Sequence, residues 1–218
     1  MVNLIAFDFH GTLCKGTEEA VLESSNLTLK YFKRNERFTF KDILELFGKP
    51  WGDYFRRICP DLKNQDVCKM VEQALSYDNI VVPKHIKPME GSIETLKKIK
   101  KNRDIIIVVS TSQQKDLEAH FYPTIGVSNL IDDTLGIMAE QEKVGNFCAG
   151  EEKAKALKNY IKGKKFQKMI IIGDMDTDIK AGKIAGFVTI FFNPDGKINS
   201  EADYSVKDLR EILKILYE

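Results

Sequence analysis

Four apolar runs of strand length, Val2–Phe7, Ile105–Val109, Met169–Ile172 and Val188–Phe192, constrain this chain more than any other feature. They are rich in β-branched and aromatic residues, and none alternates apolar with polar. That pattern belongs to strands buried on both faces, as in a parallel sheet covered by helices on each side. Leu135–Ala139 is a weaker fifth candidate. Between the runs lie helical patterns. Ser92–Lys101 carries Ile93, Leu96 and Ile99 at three-residue spacing, Glu151–Lys162 carries Ala154, Leu157 and Ile161, and Asp178–Ala185 carries Ile179, Gly182 and Ile184. Ser205–Glu218 puts Leu209, Ile212, Leu213 and Leu216 on one face and reads as a closing helix. Strands alternating with helices point to a doubly wound, Rossmann-like α/β domain.

Residues 15–86 break the rhythm. Glu18–Lys33, Phe40–Leu46, Pro50–Ile58 and Gln65–Tyr77 read as helices, and no buried strand stands among them. The expectation is a discontinuous α/β core, residues 1–14 and 87–218, with an all-helical insert at 15–86. Length permits this division, since 218 residues suffice for one large domain with a smaller insert.

Lys and Arg number 33 against 32 Asp and Glu, so the totals carry no electrostatic footprint for nucleic acid or membrane. Cys14, Cys59, Cys68 and Cys148 have no CxxC spacing, which suits free thiols in a reducing cytoplasm. The apolar opening, Met1–Phe7, is far too short for a signal h-region or a membrane span. The oligomeric state leaves no mark on the sequence.

In an open parallel sheet, ligands gather beyond the carboxyl ends of the strands. After the first run comes Asp8-Phe9-His10-Gly11-Thr12-Leu13, and after Ile105–Val109 come Ser110-Thr111-Ser112. After Met169–Ile172 comes Gly173-Asp174-Met175-Asp176-Thr177-Asp178, and Lys153 lies on the helix before that run. Carboxylates converging from two strands can hold Mg²⁺, a hard cation that prefers oxygen. The cation and a lysine would neutralise phosphate charge, while hydroxyls and backbone amides bind its oxygens. A carboxylate close to phosphorus could attack it and form an acyl phosphate.

Asp8-Phe9-His10-Gly11-Thr12, Ser110, Lys153 and Gly173-Asp174 with Asp178 resemble, in order, the four motifs of the haloacid dehalogenase superfamily. Ala185-Gly186 and Ala202-Asp203-Tyr204 extend the likeness along the chain, and the insert resembles the helical type-one cap of the phosphoglycolate-phosphatase-like branch. The resemblance implies a Mg²⁺-dependent phosphatase for a small phosphorylated metabolite. Asp8 would be nucleophile and metal ligand, position 10 would offer its carbonyl to the metal, and Asp174 would bind the metal directly. Ser110, Thr111 and Lys153 would hold phosphate, and Asp178 would support the metal's waters or Lys153. Lys155 competes for the lysine role; Lys153 is preferred because Lys153 to Leu157 resembles the family's Lys-Gly-x-x-Leu variant.

One position departs from that pattern. The family's phosphatases carry a second aspartate two residues after the nucleophile, where this chain has His10. An imidazole, with an ordinary pKa of ~6.5, suits acid–base work near neutrality. Asp8 would favour its protonated form, and bound Mg²⁺ would oppose it. Two alternatives stand beside that reading. One is a weakly active or non-catalytic protein that binds phosphorylated ligands. The other is dehalogenase or phosphonatase chemistry, ranked last because the acidic Gly173–Asp178 segment keeps a cation site, which the family's dehalogenases lack.

Plainer roles exist for each residue. Asp8 and Asp178 could cap helices, Ser110-Thr111-Ser112 could cap the next helix, and Asp176 reads as a solvated turn residue. Lys15, Lys49, Trp51, Tyr54, Arg56 and Arg57 are unranked candidates for substrate contact, with Trp51 more naturally packing in the helical insert.

Overall fold

The computed structural model describes residues 2–137, 148–196, 199 and 201–217. Strand β1 (Leu4–Phe7) leads through a tight turn to the two-residue strand β2 (Cys14–Lys15). Five helices follow: α1 (Thr17–Tyr31), α2 (Phe40–Leu46), α3 (Trp51–Ile58), α4 (Asn64–Leu75) and α5 (Asp78–His85). The chain returns through β3 (Lys87–Pro88), α6 (Ser92–Lys101) and β4 (Ile105–Ser110). Then come α7 (Gln114–Asp116), a π-helical turn at Leu117–Phe121, α8 (Tyr122–Ile125) and β5 (Asp133–Gly136). The last stretch holds α9 (Ala149–Ile161), β6 (Met169–Gly173), α10 (Asp176–Ala185), β7 (Val188–Phe192) and β8 (Tyr204–Val206). A 3₁₀ turn at Leu209–Glu211 and α11 (Ile212–Tyr217) close it.

Six strands form one parallel sheet in the order β5-β4-β1-β6-β7-β8. The four apolar runs are its β4, β1, β6 and β7, so the doubly wound α/β fold expected from them is the fold found. Leu4, Ala6, Ile107, Val109 and Ile171 face Ala154 and Leu157 of α9 and Ala181 and Ala185 of α10 in one buried cluster. The alternate residues Ile5, Phe7, Ile106 and Val108 are equally buried on the other face, as the period of two requires. Helix α10 lies so close to the sheet that a Cβ on Gly182 would meet Ile171 Cγ2 at 2.4 Å and Thr189 Cγ2 at 2.5 Å. Gly182→Val is therefore expected to cost about 1–3 kcal/mol by overpacking, read as a lower urea midpoint.

Residues 16–86 form a second compact unit. Its core is Leu29, Phe38, Ile43, Phe55, Val67, Met70 and Val71, with Trp51 stacked on Phe55 at 6.2 Å between ring centroids. Helix α2 begins at a capping box in which Thr39 and Asp42 satisfy each other's backbone N–H groups. Among the described residues no helix is long and apolar enough to cross a membrane. None of the four cysteines is in a disulfide.

The structure departs from the sequence reading in four places. The closing segment read as helix from Ser205 instead begins as β8, and its helix starts only at Ile212. Asp203 is the reason: its carboxylate accepts from Thr189 N at 2.8 Å and Thr189 Oγ1 at 2.9 Å, docking Tyr204–Val206 alongside β7. Helix α5 was hidden by Pro83, which it tolerates within its last turn. Residues 114–125, for which the sequence predicts no element, are helical. The fifth strand runs Asp133–Gly136 rather than Leu135–Ala139, and residues 138–139 of that candidate lie outside the described residues.

Candidate active site

Strand β1 lies between β4 and β6, so the crevice at the carboxyl ends of these three strands is the topological switch point of the sheet. Asp8 follows β1, Ser110 ends β4, and Asp174 follows β6. The backbone N–H of Asp8 still donates to Ile172 O at 2.8 Å, which fixes where its side chain starts. The chain then doubles back: Leu13 N and Cys14 N both donate to Phe9 O, and Gly11 N donates to Cys14 O.

Lys153 is the hub. Its Nζ donates to Asp8 Oδ1 and to Asp178 Oδ1, each at 2.6 Å, and its side chain is 5% exposed. Asp178 reaches this point from the first turn of α10, where its other oxygen accepts from Met175 N at 3.2 Å. Capping and lysine binding are thus done by one carboxylate. Thr12 Oγ1 donates to Asp174 Oδ1 at 2.9 Å. Lys155, by contrast, is 70% exposed and 4.0 Å from Glu152. Asp176 is exposed and accepts from Asn199 Nδ2 at 2.7 Å.

Ser110 is buried, and its Oγ accepts from Ser112 N at 3.2 Å; Thr111 beside it is half-buried. The tripeptide does not cap the next helix, which starts at Gln114 behind Gln113. Ser112 Oγ instead lies 3.0 Å from His10 Nε2. The sequence names Thr12 and Ser112 only within strand-end runs and gives neither a role of its own, nor one to Cys14, whose Sγ lies 3.6 Å from His10 Nδ1. The motif-like Gly11-Thr12 pair and the hydroxyl run after β4 signal Thr12 and Ser112, and nothing local marks Cys14.

Of the residues weighed for substrate contact, Tyr54 belongs to the core of the helical unit. Arg57 faces Glu45 at 3.4 Å and Arg56 faces Asp53 at 3.6 Å. Lys49 is exposed.

The electrostatics follow from burial. Burial pushes the Lys153 ammonium down, but Asp178 and then Asp8 outweigh it and hold it above the usual lysine range. Burial, then the negative charges of Asp8 and Asp178, lifts the Asp174 carboxyl well above its ordinary value. Asp178 is raised too, chiefly by burial, with Lys153 opposing. Burial first and Lys153 second push the His10 imidazole down to about 4. The sequence reading expected Asp8 to favour the protonated ring; desolvation and the lysine reverse that expectation.

Asp8, Asp174 and Asp178 can each offer an oxygen within 4.8 Å of the others. Three carboxylates against one ammonium leave formal negative charge in a nearly dry pocket. That imbalance, and a donor set made only of oxygen, fit a hard divalent cation. The backbone makes room for the cluster. A Cβ on Gly173 would lie 2.3 Å from Asp178 Cγ, and one on Gly11 would lie 2.3 Å from Asp174 Oδ2. Gly11 also sits at φ 79°, in the left-handed region. Gly11→Ala is accordingly expected to cost at least ~1 kcal/mol from backbone strain alone. Thermal unfolding reads that cost, and cation titration reads the displaced Asp174.

Residues 5–192 match the family model described as haloacid dehalogenase-like hydrolase. Pyrophosphatase PpaX of Halalkalibacterium halodurans is 24% identical, covering 99% of this chain and 97% of its own length. Among solved structures, a predicted phosphoglycolate phosphatase from Haemophilus somnus superposes with a TM-score of 0.77 at 20% identity, covering 99% of this chain and 98% of that one. A predicted phosphatase from Clostridium acetobutylicum gives 0.78 at 16% identity with the same coverage. These two likenesses are of fold.

Proposed function

We propose that this chain, which belongs to the haloacid dehalogenase-like hydrolases, is a Mg²⁺-dependent phosphatase acting on a small phosphorylated substrate through an aspartyl-phosphate on Asp8. The observation that carries the reading is the buried Lys153 ammonium shared between Asp8 and Asp178, with Asp174 in the same carboxylate cluster. In it, Asp8 attacks phosphorus, and Lys153, Ser110 and Thr111 hold the phosphate oxygens. Asp8, Asp174 and the backbone carbonyl of His10 would hold the cation, which supplies charge neutralisation for the phosphate. Asp178 keeps Lys153 in place. Residues 15–86 are read as the cap domain, and residues 1–14 and 87–218 as the catalytic core.

His10 takes the acid–base position. A neutral imidazole at that place can accept a proton from the water that hydrolyses the aspartyl-phosphate. His10→Ala is expected to lower turnover roughly 10²-fold while leaving substrate binding close to wild type. The reading is tested by Mg²⁺-dependent hydrolysis of an aryl phosphate and of pyrophosphate, the substrate in the name of the H. halodurans relative. Wild type should be active and His10→Ala much slower. Equal rates in the two would remove His10 from the chemistry.

A second reading is favoured by the engagement of both His10 ring nitrogens and the depressed basicity of the ring. Under it the site binds phosphorylated ligands and turns them over poorly. Silent wild type with turnover restored in His10→Asp would select that reading.

The cation has its own readout. At 100-fold its dissociation constant, Mg²⁺ should stabilise the fold by about 2.7 kcal/mol, a rise in Tm of roughly 5–10 °C for a chain of this size. Chelation should reverse it and Asp174→Asn should blunt it. A thermal midpoint indifferent to Mg²⁺ in wild type would count against the cation site.

A further inference from the structure

The ring of His10 is held from four sides. Ser112 Oγ meets Nε2 at 3.0 Å and Cys14 Sγ meets Nδ1 at 3.6 Å. Phe9 stands edge-on with ring centroids 5.0 Å apart, and Phe121 of the π-helical turn stands at 5.8 Å. These holders come from separate places: the turn after β1 (Phe9), the start of β2 (Cys14), the loop after β4 (Ser112) and the Leu117–Phe121 turn. Ser112 is itself pinned, since its N–H donates to Ser110 Oγ at 3.2 Å and the residue is buried.

We infer that Ser112 is a positioning residue for His10, its hydroxyl selecting which ring nitrogen faces which way in the site, with the Cys14 thiol closing the opposite side. In its kinetic arm this inference rests on the phosphatase reading.

The argument is one of ring geometry. An imidazole is planar, and its χ2 torsion has two broad wells that exchange the positions of its nitrogens and carbons. A carboxylate at this position would present equivalent oxygens after such a flip; an imidazole presents a carbon where a nitrogen stood. A chain that carries histidine here must therefore fix χ2. The two nitrogens are also distinct by tautomer, and the partner of one decides the state of the other. A hydroxyl can donate or accept, whereas a thiol does either weakly. The Ser112 bond is thus the stronger of the two restraints, and the aromatic edges restrict the ring's tilt without choosing a nitrogen.

The experiment combines kinetics with ¹⁵N NMR of the imidazoles. The chain has three histidines, so the His10 ring signals are assigned by their loss in His10→Ala. Ser112→Ala is expected to lower kcat roughly tenfold, as misplacement of an acting group does, with KM within about twofold. Ser112→Thr, which keeps the hydroxyl, should recover most of that loss. In a His10→Ala background, Ser112→Ala should cost nothing further, since a positioning residue has no effect once its ward is gone. In the spectrum, Ser112→Ala should move both His10 ring nitrogens towards the averaged shifts of a freely exchanging neutral imidazole, and Cys14→Ala should move Nδ1 by less.

Three results would overturn the inference: a raised KM with unchanged kcat, which marks a substrate-binding hydroxyl; an equal loss in the His10→Ala background; or unmoved ring signals. Should wild type hydrolyse nothing, the phosphatase reading fails, and the spectrum still decides whether Ser112 orients the ring.

Discussion

Asp8→Asn is expected to reduce turnover by roughly 10⁴-fold or more, the scale on which removing a nucleophile acts. The fold should remain intact. An asparagine keeps the shape of the side chain, and its Oδ1 can still accept from Lys153, which retains Asp178 as its charged partner. Removing one negative charge also relieves Asp174, whose carboxyl is raised in part by Asp8. The unfolding free energy without added cation should therefore stay within about 1 kcal/mol of wild type, or rise. Steady-state hydrolysis and circular dichroism of the same preparation check both halves. Full-rate hydrolysis in the variant would exclude Asp8 as the nucleophile.

Lys153→Met should be the most destabilising single change in the site. It strands two carboxylates in a nearly dry pocket, and breaking a buried pair by removing one partner costs about 3–5 kcal/mol. The loss has a pH signature in cation-free buffer. Asp178 is already raised above its ordinary value, and without the ammonium it rises further. A raised carboxyl contributes stability that is complete below its unfolded value and is lost as pH rises through the folded one. The deficit of Lys153→Met against wild type should thus be small near pH 4–5 and grow towards pH 8. Urea unfolding at the two ends of that range measures it, and Mg²⁺ should restore part of the loss at the upper end. A variant as stable as wild type at pH 8 would show that the cluster does not depend on its lysine.

How far the sequence speaks depends on where a residue's partners lie. Strands β1, β4, β6 and β7 are legible because burial on both faces strips them of polar residues, leaving runs such as Ile105–Val109. Strand β8 is not: two of its three residues are exposed, and a carboxylate just before it does the docking. Asp8 and Asp174 stand out by a positional rule, since acidic residues directly after buried strands gather at one edge. Lys153 has no such local mark. It lies on a lysine-rich helix, where only the family-like spacing from Lys153 to Leu157 favours it over Lys155 in the sequence, and burial then separates the two. Ser112 and His10 are 102 residues apart in the chain, and no periodicity or capping pattern links them. Side-chain pairs across a sheet edge become visible only once register is known.

The small ribbon of β2 and β3 carries a consequence for how such a chain can change. Cys14 pairs with Pro88 and Lys15 with Lys87, antiparallel, so the polypeptide leaves the α/β unit and comes back to it at neighbouring positions. To the sheet, everything between is one loop whose ends are already closed. Loop closure grows only slowly with length, about 0.6 kcal/mol per doubling. The ribbon is in effect a socket. Replacing residues 16–86 with a two-residue turn, or with another folded module whose ends meet, should leave the parallel sheet and its carboxylates folded. The insert can then be exchanged or lost without rebuilding the sheet that carries Asp8 and Asp174.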